Sequence, residues 1–155
     1  MIQSVLMTAT LFLLIICCST KGLSQNENTI VFVCEHGAAR STIASLYFNK
    51  MAKENHLRYR SVFRALTPDS VLTKETKNGL IEDGFDTRLL TPVALSGRDV
   101  DANTMLISLD CVVPESYHTY RTWIGIPAIS EDYPAARNKI VKQLSELISE
   151  LKNRE

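Results

Sequence analysis

Two spacings of apolar residues alternate along the chain. Residues 30–33, Ile-Val-Phe-Val, form a dense β-branched and aromatic run that reads as a buried strand. Similar runs at 59–66, at 104–109 (Thr-Met-Leu-Ile-Ser-Leu) and at 119–126 around Trp123 predict three more strands. Between them the apolar positions recur at three- and four-residue steps. Ile43, Leu46, Tyr47 and Met51 make one stripe of a helix over 40–56, with Lys50, Lys53 and Glu54 on its wet side. A second helix is predicted over 71–82, capped by Asp69 or Ser70 and stopped at Asp83-Gly84, where glycine suits a left-handed C-terminal position. Thr91-Pro92 is read as opening a short helix through 95. The last helix covers 134–151, with Ala136, Ile140, Val141, Leu144, Leu147, Ile148 and Leu151 on its apolar face.

Strand, helix, strand, helix, strand, strand, helix is the order of a parallel α/β sandwich. Right-handed crossovers put the first strand centrally, and the loop that follows it at the carboxyl end of the sheet.

The first 24 residues read differently. Residues 5–18 are almost wholly apolar, and Lys21 is the only charge before Glu27. The run is shorter than the ~20 residues that cross a bilayer. It reads as a signal peptide cleaved after Ser24, with small Gly22 and Ser24 at the −3 and −1 positions. Acylation at Cys18, or an uncleaved anchor, are the alternatives, and membrane contact then runs only through this segment. All three place the domain outside the cytoplasm, in a periplasmic or secreted location. Residues 25–155 are then one domain of 131 residues, enough for a proper core. That piece carries 16 Lys and Arg against 17 Asp and Glu, a balance that argues against nucleic acid as a partner. Cys17 and Cys18 leave with the signal. The remaining pair, Cys34 and Cys111, makes neither a disulfide scaffold nor a zinc site, although two cysteines in an oxidising compartment are able to pair. No metal or organic cofactor is implied.

The chemistry concentrates between the first strand and first helix, in Cys34-Glu35-His36-Gly37-Ala38-Ala39-Arg40-Ser41. A strand-to-helix loop turns its backbone N–H groups inward and forms an anion nest. A cysteine at the lip of such a nest sits in positive potential, which favours thiolate. The Arg40 guanidinium matches two oxygens of a tetrahedral oxyanion. Gly37 accepts a positive φ, and Ser41 is placed to donate to the sulfur. The sum is a nucleophile aimed at the centre of a phosphate-like anion. The plainer alternative is that Cys34 is a small buried hydrophobe at a strand end.

Val33 to Thr42, V-C-E-H-G-A-A-R-S-T, resembles the phosphate-binding loop of the low-molecular-weight protein tyrosine phosphatases and of the arsenate reductases that share their fold. His36-Gly37 stands where that family usually has Gly-Asn, and Ala39 where many members have a second cysteine. Leu80 to Asp86 looks like the turn after the same family's second helix. The resemblance implies a three-layer α/β/α sandwich with a four-stranded parallel sheet in 2-1-3-4 order. It makes Cys34 the nucleophile, the backbone from Glu35 through Ala39 to Arg40 the cradle, Arg40 the clamp and Ser41 the thiolate's partner.

In the same family the general acid is an Asp in an Asp-Pro-Tyr segment before the last helix. Here Asp132, followed by Tyr133-Pro134, takes that role by resemblance; alternatively it is a helix N-cap. His36 and His118 are acid–base alternatives or loop hydrogen-bonders, and Glu35 and Tyr133 are candidate pocket walls. Cys111 falls roughly where thioredoxin-coupled arsenate reductases place the first of two resolving cysteines, but no second cysteine follows over 112–118. It is a redox partner of Cys34 or a buried thiol. The functions implied are an exported cysteine-dependent phosphatase acting on a phosphorylated substrate, an arsenate reductase acting on an inorganic oxyanion, or a non-catalytic phosphate-binding module.

Overall fold

The computed structural model describes residues 28–154, so the signal-peptide reading lies outside the described residues. Four parallel strands, β1 (Asn28–Cys34), β2 (Tyr59–Ala65), β3 (Thr104–Leu109) and β4 (Arg121–Trp123), form one sheet in the order β2-β1-β3-β4. This is the expected parallel α/β architecture, with β1 inside. The helices are α1 (Arg40–Glu54), α2 (Lys74–Glu82) and α3 (Tyr133–Lys152).

Burial explains why β1 reads as an unbroken apolar run. Ile30, Phe32 and Cys34 face the helices, while Val31 and Val33 face the other way with Leu106. The helical side holds the main core: Phe32 and Phe48 have ring centroids 5.9 Å apart, and Phe32 and Trp123 5.6 Å. The other face is covered by a 3-10 turn at Gly97–Asp99 and by loops that supply Leu95, Val100, Val113 and Tyr117.

Several local expectations change. The buried face of α1 is Ser41, Thr42, Ile43, Ala44, Ser45, Phe48 and Ala52, whereas Leu46, Tyr47 and Met51 are only half-buried. Small hydroxyl residues are inside because hydrogen bonds satisfy them: Ser45 Oγ lies 3.0 Å from Ser61 Oγ, and the Thr42 hydroxyl donates to the Gly37 carbonyl at 2.7 Å. Helix α2 begins later than predicted, capped by Thr73, which accepts from the Thr76 N–H. Its end at Gly84, with φ 85°, is as predicted. No helix forms over 91–95. Ala94 instead bridges Ala65 in parallel, and Ala65 donates to Val93 O and accepts from Leu95 N. The exposed backbone edge of β2 wants partners, and that demand outweighs the Thr-Pro start signal.

One polar cluster joins the helices. Tyr133 Oη donates to Asp83 Oδ2 at 2.6 Å and Arg137 Nη1 to Oδ1 at 2.7 Å. Burial opposes ionisation of Asp83, but hydrogen bonds from Tyr133 and Tyr47 and the Arg137 charge outweigh it and hold the carboxyl below its usual value. Among the described residues no helix is long and apolar enough to cross a membrane.

Candidate active site

The loop 35–39 leaves the carboxyl end of β1 and enters α1. Every backbone carbonyl around it is engaged outward. Cys34 O accepts from Leu66 N, Glu35 O from Leu66 N and Thr67 N, His36 O from Asp69 N, Gly37 O from the Thr42 hydroxyl, Ala38 O from Thr73 N and Ala39 O from Ile43 N. In the described structure no acceptor takes the N–H of Glu35, His36, Gly37, Ala38 or Ala39. With carbonyls out and N–H groups unused, the loop is an anion nest, reinforced by the positive end of α1.

Gly37 makes this winding feasible. Its φ is 67°, and a Cβ there would stand 2.8 Å from Ala65 Cβ and 3.2 Å from Pro92 Cβ. The requirement for glycine is thus both conformational and steric.

Cys34 is 5% exposed, and its Sγ lies 3.1 Å from the Ser41 hydroxyl, which donates when the sulfur is ionised. Arg40 closes the ring. Its Nη2 donates to Ile126 O at 3.3 Å, and its Nε stands 3.4 Å from Asp110 Oδ2. That approach is ionic rather than a directed hydrogen bond, because the buried Nε has no hydrogen-bond acceptor in line. Asp110 is a residue the sequence reading missed. It sits just past β3 with φ 47°, and its two oxygens accept the N–H groups of Gly125 at 2.7 Å and Ile126 at 3.0 Å. It thereby ties the loop after β4 to the clamp. The available signal was an acid at a strand's carboxyl end, the end that carries Cys34.

Cys34, Glu35, His36, Ala38, Ala39 and Arg40, with Asp69 and Thr73 from the segment before α2, line a cavity of about 110 Å³. Gly37 and Ser41 are off this lining, Ser41 reaching the site only through its contact with the sulfur. Other expected groups are elsewhere. Asp132 does not line the cavity; its carboxylate caps α3, accepting from Ala135 N at 2.8 Å. The helix-start alternative is the one the geometry adopts. Tyr133 packs its ring over Gly79 and bonds Asp83, and is no pocket wall. His118 is exposed and also lies off the lining.

Cys111 is a free thiol, as is Cys34. It packs with Val31 and Val33 on the sheet face opposite the main core, donating to Val33 O at 3.5 Å. Burial pushes its thiol up to about 11. The thiol therefore stays protonated at neutral pH, and the nearby Cys34 and Glu35 add to the rise.

A thiol in a strand-to-helix loop, with an arginine at the helix start and the carboxyl end of a 2-1-3-4 parallel sheet around it, defines an α/β protein with a cysteine–arginine loop. The fold is that of the low-molecular-weight tyrosine phosphatases and arsenate reductases. The arsenate reductase from Archaeoglobus fulgidus DSM 4304 matches at TM-score 0.61 and 23% identity, over 77% of this chain and 98% of that one. A low-molecular-weight phosphotyrosine phosphatase from Vibrio cholerae O395 matches at TM-score 0.68 and 11% identity, over 81% and 97%. The thioredoxin-dependent arsenate reductase of Corynebacterium glutamicum matches at TM-score 0.66 and 19% identity, over 86% of this chain and 66% of its own. No protein-family model and no curated protein matches the chain.

Proposed function

We propose that the protein is an exported cysteine-dependent phosphatase of the protein tyrosine phosphatase-like kind. The observation that carries this reading is the nest: outward carbonyls, unused inward N–H groups, and a sulfur at its lip with Arg40 at its close. Such an array is complementary to a trigonal-bipyramidal phosphoryl group, whose three equatorial oxygens take the loop amides and the guanidinium. Cys34 thiolate attacks phosphorus in line and the ester oxygen leaves. Water then hydrolyses the phosphocysteine, and Ser41 stabilises the sulfur as it departs. Positioning and electrostatics carry most of the acceleration.

Arsenate, an isostere of phosphate, fits the same nest, and likeness to arsenate reductases keeps that reading as the second one. Reduction of the Cys34 adduct needs two thiol electrons. Cys111, a free thiol that packs against Val31 and Val33, or an external thiol is their source.

The test is hydrolysis of p-nitrophenyl phosphate by the reduced full chain beside Cys34→Ser. Turnover that the variant lowers by about 10³-fold or more supports thiolate chemistry. A reduced wild type that turns over nothing overturns the phosphatase reading and sends the protein to a thiol-coupled arsenate assay. Export is tested by the mass of the mature N-terminus; a start at Met1 in secreted material refutes cleavage.

A further inference from the structure

Cleavage of an ordinary phosphate ester leaves one chemical need unmet by the groups assigned so far: a proton for the departing oxygen. Asp132 is occupied at the start of α3 and lies off the cavity. Both Asp110 oxygens accept backbone N–H groups behind Arg40. Glu35 lines the cavity, but its Oε1 accepts the Thr67 hydroxyl at 2.9 Å. His36 and Asp69 remain.

These two are held as a pair. His36 O accepts from Asp69 N at 3.0 Å, His36 Nδ1 lies 3.2 Å from the Thr67 carbonyl, and Asp69 Oδ1 is 3.8 Å from the same nitrogen. A carbonyl only accepts, so the Thr67 contact puts a proton on Nδ1 and leaves Nε2 as the exchanging position. Asp69 lines the same cavity as the imidazole.

We infer that His36, oriented by Thr67 O and Asp69, is the general acid and base of this site; the inference rests on the phosphatase reading. As Cys34 sulfur forms its bond to phosphorus, the P–O bond breaks and its electron pair stays on the leaving oxygen. That oxygen takes the Nε2 proton. Imidazole then accepts a proton from the attacking water as the S–P bond breaks, releasing phosphate and thiolate and restoring imidazolium. His36 is a catalytic residue in this scheme and Asp69 a positioning residue. The charged and titratable groups around the imidazole are Asp69 beside it, Glu35 next in the loop, and Cys34 and Arg40 on the same cavity wall.

The experiment compares kcat/KM, which reports phosphocysteine formation, for p-nitrophenyl phosphate and phenyl phosphate. It uses the full-length wild type, His36→Gln and Asp69→Asn. Nitrophenolate leaves without help and phenolate does not. His36→Gln is expected to change the first by about threefold or less and to lower the second by about 10²–10⁴-fold. It should keep vanadate inhibition, which shows an intact nest. The alkaline limb of the wild-type phenyl phosphate profile should vanish in His36→Gln. Asp69→Asn should lower the phenyl phosphate rate by a smaller factor than His36→Gln and leave the p-nitrophenyl phosphate rate within about threefold. Equal losses on both esters in His36→Gln, or a steep leaving-group dependence in Asp69→Asn alone, overturn the assignment while the phosphatase reading stands. Absence of turnover in the wild type brings down both.

Discussion

Replacing Gly37 by alanine sets two separable forces against the site. The residue sits at φ 67°, where an L side chain costs about 1–2 kcal/mol. The new methyl would also stand 2.8 Å from Ala65 Cβ, well inside the roughly 3.5–4.0 Å at which two carbons attract. Ala65 is fully buried in β2, so relief requires moving strand or loop, at about 1–3 kcal/mol. Together the loss is about 2–5 kcal/mol, or roughly 8–20 °C in Tm for a domain of this size. Gly84 is the internal comparison. It has φ 85° with nothing within 4 Å of an added Cβ, so Gly84→Ala should cost only the conformational part, about 1–2 kcal/mol. Denaturant unfolding of both variants isolates the clash by difference. Because the Gly37 carbonyl anchors Thr42 and the loop must shift by tenths of an ångström, kcat/KM should also fall by on the order of 10²-fold in Gly37→Ala alone. A Gly37→Ala protein no less stable than Gly84→Ala, with unchanged turnover, refutes the idea that this glycine sets the shape of the nest.

Asp110→Ala should destabilise the fold by about 2–4 kcal/mol, because two N–H groups lose a charged acceptor, and it should weaken phosphate binding as Arg40 loses its neighbour. Denaturant unfolding with a phosphate titration reads both effects, and a loss below about 0.5 kcal/mol with unchanged affinity contradicts the role given to Asp110. Burial raises the Cys111 thiol from 9.0 to about 11, so its contribution to stability is full below pH 9 and drains away as pH rises through 11. Unfolding at pH 8 and 11 should therefore show a larger alkaline loss in wild type than in Cys111→Ala, while alkylation of Cys111 at pH 8 stays slow; equal losses in the two proteins contradict the burial argument.

How much was legible in the sequence follows from the range of the forces involved. The loop was legible because its requirements are local: a strand end, a glycine able to take positive φ, an arginine at the helix start and a serine beside the sulfur are within eight residues. The strands were legible as well, because β1 is buried on both faces and β3 nearly so, which forces continuous apolar runs. The buried face of α1 was misjudged because Ser41, Thr42 and Ser45 count as polar until their hydrogen-bond partners, Cys34, Gly37 and Ser61, are known. The 91–95 segment followed the unpaired edge of β2 rather than its own Thr-Pro signal.

What the sequence by itself determined is therefore the parallel α/β layout and the strand-to-helix loop that carries Cys34, Gly37 and Arg40, since both arise from near-neighbour periodicity and turn chemistry. The surroundings of that loop were decided only by tertiary structure. Crossover connections bring Asp110 to Arg40, and Asp69 and Thr67 to His36, across separations of tens of residues. The same packing commits Asp132 to a helix start and turns Cys111 to the far face of the sheet. No periodicity in the chain encodes such meetings, because they depend on which loops the sheet order gathers at one end.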